Sequence, residues 1–197
     1  MNLIKYIGLA LILLFVIINM FLLFHNNESF FSVKDVIKDH LKLFHNCKLQ
    51  YIIFYLNPLI FAIGLSMVYE AGETFYTNLS VVVSVLLSML LAILSILTEK
   101  DYSSIKDSIQ SKNIKRVTQE TITAIVFDSM LCIFLLLYGL VMIVIDGIAF
   151  NIEVVRQIFA FIAYYVFAVM LLNLLLIVKR MSRIFEFDFD VQKGNKK

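Results

Sequence analysis

"SVVVSVLLSMLLAILSIL", Ser80 to Leu97, holds no charged residue, no proline and no glycine over a length close to that needed to cross a bilayer. A helix rises about 1.5 Å per residue, so roughly 20 apolar residues cover the hydrocarbon core. In lipid a helix satisfies its own backbone without a neighbour, and the stretch, extended to 78–98, therefore predicts a transmembrane helix. Within it Ser80, Ser84, Ser88 and Ala92 stand at uniform four-residue steps, with Ser95 three residues further on. Small residues aligned in this way let two helix backbones approach closely, which in lipid takes the place of a hydrophobic drive. They are the candidate packing face, toward a neighbour in the same bundle or toward another subunit, and a serine-lined water path is the alternative.

Comparable segments lie at about 3–24, 51–70, 122–145 and 157–178. With 61% hydrophobic and 16% charged residues, the chain falls outside the composition of soluble globular domains. One proline and six glycines leave little material for a turn-rich extramembrane domain. The expected fold is an all-α integral membrane protein: a bundle of four core transmembrane helices over 51–178 and, at 1–24, a fifth hydrophobic helix retained as an anchor. Cys47 and Cys132 offer neither a disulfide framework nor metal-ligand spacing, and neither a metal nor another cofactor is expected.

Loop charges set the expected orientation. Lys34, Lys38, Lys42 and Lys48 follow the first segment, Lys100, Lys106, Lys112, Lys115 and Arg116 follow the third, and the tail carries Lys179, Arg180, Arg183, Lys193, Lys196 and Lys197. The two other loops hold only Arg156. By the positive-inside rule the basic segments and the C-terminus are cytoplasmic, and five spans would place the N-terminus outside.

Three cytoplasmic pieces follow from this layout. In 25–50, Phe30, Val33, Ile37, Leu41 and Phe44 share one helical face, with Lys34, Lys38 and Lys42 in a row opposite and a capping-box pattern at Ser32 to Asp35. This predicts an amphipathic helix, either on the membrane surface with its lysines toward lipid phosphates or against the cytoplasmic end of the bundle. Residues 99–120 are polar with a sparse stripe at Tyr102, Ile105 and Ile109, so a helical hairpin and a solvated loop both fit. In the tail, 179–197, Phe185, Phe187, Phe189 and Val191 alternate with Glu186, Asp188 and Asp190. Period two predicts a strand over 184–191, open to pairing with another protein by β-augmentation, or folded back on the helix ends.

Asp128 is the only carboxylate well inside a predicted span, where an ionised group is costly and normally faces a partner or water. A functional role and a hydrogen-bonded interface role with Ser129 are both open. Asn19, Asn57 and Asn173 could bond between helices, and Asn57-Pro58 should kink its span. No catalytic residues emerge: there is no serine with a basic partner in a span, no pair of intramembrane carboxylates, no HExxH and no glycine-rich phosphate loop. A non-enzymatic role is expected.

The size, the four-span core, the basic cytoplasmic loops, the short tail and the opening "MNLIKYIGLALILLF" resemble the KwaA family, the membrane subunits of the Kiwa anti-phage defence system. That resemblance implies an inner-membrane homo-oligomer that senses infection and works with a cytoplasmic DNA-binding partner, KwaB, without itself touching nucleic acid. No functional residue carries over from it. The leading expectation is a sensor and scaffold that recruits a cytoplasmic protein, and the alternative is a pore-forming or ion-conducting effector gated near Asp128.

Overall fold

The computed structural model describes residues 33–43, 48–99, 108–146 and 153–194, with Ile7, Gly8, Ala10, Leu11, Leu14, Ile17 and Ile18 besides. Within these residues the protein is helical, with no strand. The elements are α1 (Val33–Lys42), α2 (Lys48–Val68), α3 (Glu73–Thr98), α4 (Ser108–Asp146) and α5 (Glu153–Gly194). Among the described residues three stretches are long and apolar enough to cross a membrane: α3, the Lys112–Ile145 part of α4 and the Arg156–Phe187 part of α5. The apolar part of α2, Ile52–Val68, is shorter, so three of the four expected core spans reach full length. The seven residues from 7 to 18 are helical, and the remainder of the expected helix at 1–24 lies outside the described residues.

The chain packs as a row, α2 on α5, α5 on α4 and α4 on α3, with α1 against α4. Helical period explains the central contacts. In α4 the buried positions Ile114, Thr118, Thr121, Ile125, Asp128, Cys132, Leu135, Gly139 and Met142 alternate steps of four and three. In α5, Ala163, Met170, Ile177 and Ile184 recur every seven residues, all buried. A mean step of 3.5 keeps one seam facing its partner along two long helices, as in left-handed bundles.

The small-residue stripe of α3 behaves differently. Steps of four advance about 40° each at 3.6 residues per turn, so the stripe winds around the helix. Ser80 faces α4, where a Cβ added at Gly139 would stand 2.9 Å from its Oγ. Ser84, Ser88, Ala92 and Ser95 have turned outward and are exposed, while Tyr76, Leu79, Val83, Leu90 and Leu97 carry the buried seam. Ser84 and Ser88 donate their hydroxyls to the carbonyls of Val81 and Ser84, which leaves them satisfied on an apolar surface.

The tail corrects the sequence expectation. Residues 184–191 continue α5 as helix, so the strand of Phe185, Phe187, Phe189 and Val191 opposite Glu186, Asp188 and Asp190 does not form. No glycine or proline interrupts the chain between Val178 and Lys193. A lone strand has no partner for its backbone, whereas continuing the helix satisfies each group within the chain. The α5 seam also runs on through Met181 and Ile184, with Phe187 packed on the core and Phe185 exposed. In 99–120, α4 begins at Ser108 and takes the second half into helix, whereas Tyr102 and Ile105 lie outside the described residues.

Candidate functional site

At the end of the bundle where α4 begins and α5 ends, the seams carry polar residues. Asp128 is fully buried, and Asn173 of α5 is 1% exposed. The Asn173 amide interacts with both Asp128 and His40 of α1. Neither carboxylate oxygen of Asp128 and neither end of the Asn173 amide has hydrogen-bond geometry with another described group. Thr121 of α4 avoids this state, since its hydroxyl donates to the Val117 carbonyl at 2.7 Å, whereas the buried hydroxyls of Thr118 and Ser129 share it. A carboxylate has no donor of its own to spend in this way.

α1 closes the junction. Val33 and His40 are buried, Val36, Ile37, Leu41 and Leu43 are half-buried, and Lys34, Lys38 and Lys42 point away and are exposed. The His40 ring stacks on Phe127 of α4, centroids 3.9 Å apart and planes within 6°. Residues 33–42 thus meet the bundle through their apolar face. Burial, reinforced by the positive charge of Arg180, pushes the His40 imidazole from its ordinary 6.5 down to about 4, with Asn173 acting in the opposite sense. His40 is therefore docked in its neutral form near pH 7.

Above this layer Arg180 of α5 reaches Glu120 of α4 at 3.4 Å, and Arg116 holds the other Glu120 oxygen at 2.9 Å. Below it the Cys132 thiol donates to the Met170 thioether at 3.3 Å. The assembled groups can hold a neutral histidine helix against a buried carboxyl and amide. They contain no nucleophile paired with a base on an open surface.

Of the residues singled out from sequence, Asp128 and Asn173 come together here. Lys34, Lys38 and Lys42 lie on the outer face of α1. Asn57 is exposed on α2 beside buried Pro58, Asn19 lies outside the described residues, and Phe185, Glu186 and Phe187 stand on the last turns of α5. The side chains of Asp188, Phe189, Asp190 and Val191 lie outside the described residues. His40 and Arg180 were missed as members of a site. Their signal was positional: Arg180 follows Asn173 by seven residues, and His40 falls on the apolar face of α1 seven residues after Val33.

The fold and this junction define a helical membrane protein with a buried polar layer at one end. Compared with known proteins, the chain matches no family model, no curated protein and no solved structure.

Proposed function

We propose that the protein is a non-enzymatic, oligomeric sensor and scaffold of the bacterial inner membrane. Its basic, cytoplasmic end recruits a soluble partner, and α1 is the element that controls the recruitment. One observation carries this: α1 is held by a short apolar face and one buried histidine, with Lys34, Lys38 and Lys42 presented outward. Such a helix can leave the bundle at modest cost and transfer the same apolar face to a partner or to lipid. The exposed turn at Phe185 and Glu186 on α5 adds a second contact surface at the same end. With the strand absent, recruitment rests on helical surfaces rather than on β-augmentation. Outward Ser84, Ser88 and Ala92 on α3 favour close helix packing between subunits over packing inside one bundle. The resemblance to KwaA points the same way, toward an anti-phage role with a KwaB-like DNA-binding partner and no direct contact with nucleic acid.

The test is affinity purification in mild detergent from the native host, comparing wild type with a variant carrying Lys34→Glu, Lys38→Glu and Lys42→Glu. Loss of a co-eluting cytoplasmic protein from the variant supports recruitment through α1. An unchanged set of co-eluting proteins contradicts it. Asp128, buried beside Asn173 without hydrogen-bond partners among the described residues, favours a second reading, an ion-conducting effector. Flux in liposomes that changes with Asp128→Asn would support that reading, and well-folded oligomers without flux would remove it.

A further inference from the structure

The end of the bundle opposite the His40 junction holds a cavity of about 390 Å³, within the range of small-molecule sites. Ser66, Tyr69, Glu70, Arg156 and Gln157 supply its polar lining, and Ala71 and Ala160 form its closed wall, 1% and 2% exposed. The small side chains of these two alanines leave the space. Aromatic contacts pack the surroundings: the Tyr164 hydroxyl donates to the Tyr69 carbonyl at 3.4 Å, and the Phe75 ring meets Tyr164 and Tyr76 edge to face at 5.0 and 5.3 Å.

Two features define the chemistry. First, the cavity carries one residue of each sign, Arg156 and Glu70. The guanidinium has five donors in a planar fork, so it can engage an anion while keeping other contacts. A carboxylate lining the same cavity suits a cation, and the pair suits a ligand bearing both charges. Second, the cavity lies at the margin of the apolar segments. The apolar part of α5 begins at Arg156, that of α3 at Glu73, and that of α2 ends at Val68. Met67 and Val68, 81% and 86% exposed, lie next to it in sequence. α2 and α3, although joined through residues 69–72, pack on α5 and α4 and not on each other among the described residues.

We propose that this cavity binds a zwitterion in which a phosphate and a primary ammonium are joined by two carbons, the phosphate on Arg156 and the ammonium on Glu70. Ethanolamine phospholipid headgroups and free phosphoethanolamine share this chemistry. The inference stands apart from partner recruitment, since the cavity and the α1 junction occupy opposite ends of the bundle.

The experiment uses the full chain. Native mass spectrometry of protein in detergent, titrated with phosphatidylethanolamine or with phosphatidylglycerol of matched acyl chains, reads lipid retention, and calorimetry with phosphoethanolamine reads the free compound. Arg156→Gln and Glu70→Gln alter side chains at the cavity mouth, and circular dichroism checks that each variant stays helical. The expected result is retention of the ethanolamine lipid over the glycerol lipid, falling roughly tenfold or more in each variant, as loss of a charge-assisted contact implies. Calorimetric binding of phosphoethanolamine with the same dependence would assign the site to the headgroup alone, and binding of the lipid only would assign it to the membrane source. Equal retention of both lipids without calorimetric binding, or retention indifferent to both substitutions, overturns the proposal.

Discussion

The inner helices α4 and α5 run for 39 and 42 residues, whereas the flanking α2 and α3 run for 21 and 26. At about 1.5 Å per residue the inner pair is nearly 60 Å long, about twice the ~30 Å of hydrocarbon it has to cross, and α3 is only slightly longer than that thickness. The excess falls where α4 begins and α5 ends, at the basic end. There the pair can carry Glu120, Asp128, Asn173 and Arg180 because each helix shields the other along a continuous seam. Among the described residues the flanking helices meet one neighbour each and turn Val81, Val85, Met89, Ile60 and Phe61 outward, and the exposed hydroxyls of Ser84 and Ser88 bond to their own backbone. Buried polarity in this protein follows from having two long helices in register, and the docking place of α1 follows from the buried polarity.

The largest expected effect separates the seam from the outer surface. Leu135→Ala, at a fully buried position, should destabilise by about 3 kcal/mol, while Leu137→Ala, 48% exposed, should change stability by less than about 0.5 kcal/mol. Thermal unfolding in micelles checks both, and equal effects would break the distinction between inner and outer faces.

Next in size is the hold on α1. His40 has its proton affinity lowered when docked, to about 4 against 6.5 when free, so the released helix binds more protons between those values. Docking is therefore fully stabilised above about 6.5 and weakens as the pH falls toward 4, by up to roughly 3 kcal/mol. Hydrogen exchange over 33–42 should accelerate through that window in wild type and lose its pH dependence in His40→Asn.

Gly139→Val tests a close approach of a flanking helix. Its added atoms meet the Ser80 hydroxyl and the Tyr76 carbonyl, and overpacking there should destabilise by about 1–3 kcal/mol. Ser80→Ala combined with it should recover part of the loss. A smaller contrast sharpens the helical end of α5. Ile184→Ala, at a fully buried site near the end of α5, should destabilise by about 2 kcal/mol and Phe185→Ala by less than half of that. A strand would group Phe185 with Phe187 and reverse the order. Smallest for the fold is Ser88→Leu on the outward face of α3, which should leave unfolding unchanged and, in crosslinking, reduce subunit association.

Much of this architecture was legible in the sequence. Apolar runs marked out the three full-length spans, and the period of 29–46 predicted a helix with its lysines opposite the apolar face, set either on the membrane surface or against the bundle. The strand at 184–191 was misjudged because local alternation was weighed without the seam that enters from Ile177 and Met181; a seven-residue rule extended past Val178 finds Ile184. The serine stripe was read as one face, whereas steps of four drift, and only its first member reaches α4. The junction was half legible. Asp128 stands out by being charged in an apolar run, but nothing local in the sequence says that a histidine 88 positions earlier completes its surroundings. That pairing depends on α1 folding back on α4, a tertiary fact. The cavity at Glu70 and Arg156 is of the same kind, assembled from two loops' edges that sequence keeps far apart.

The most direct test of the docked α1 is the titration of His40 itself. Histidine carbon and nitrogen shifts in the full-length protein, assigned with His40→Asn, should show a neutral imidazole at pH 5 that gains its proton only near 4. An ordinary titration near 6.5 would place His40 in water or at a lipid surface, and would contradict a junction in which α1 is latched beside Asp128, Asn173 and Arg180.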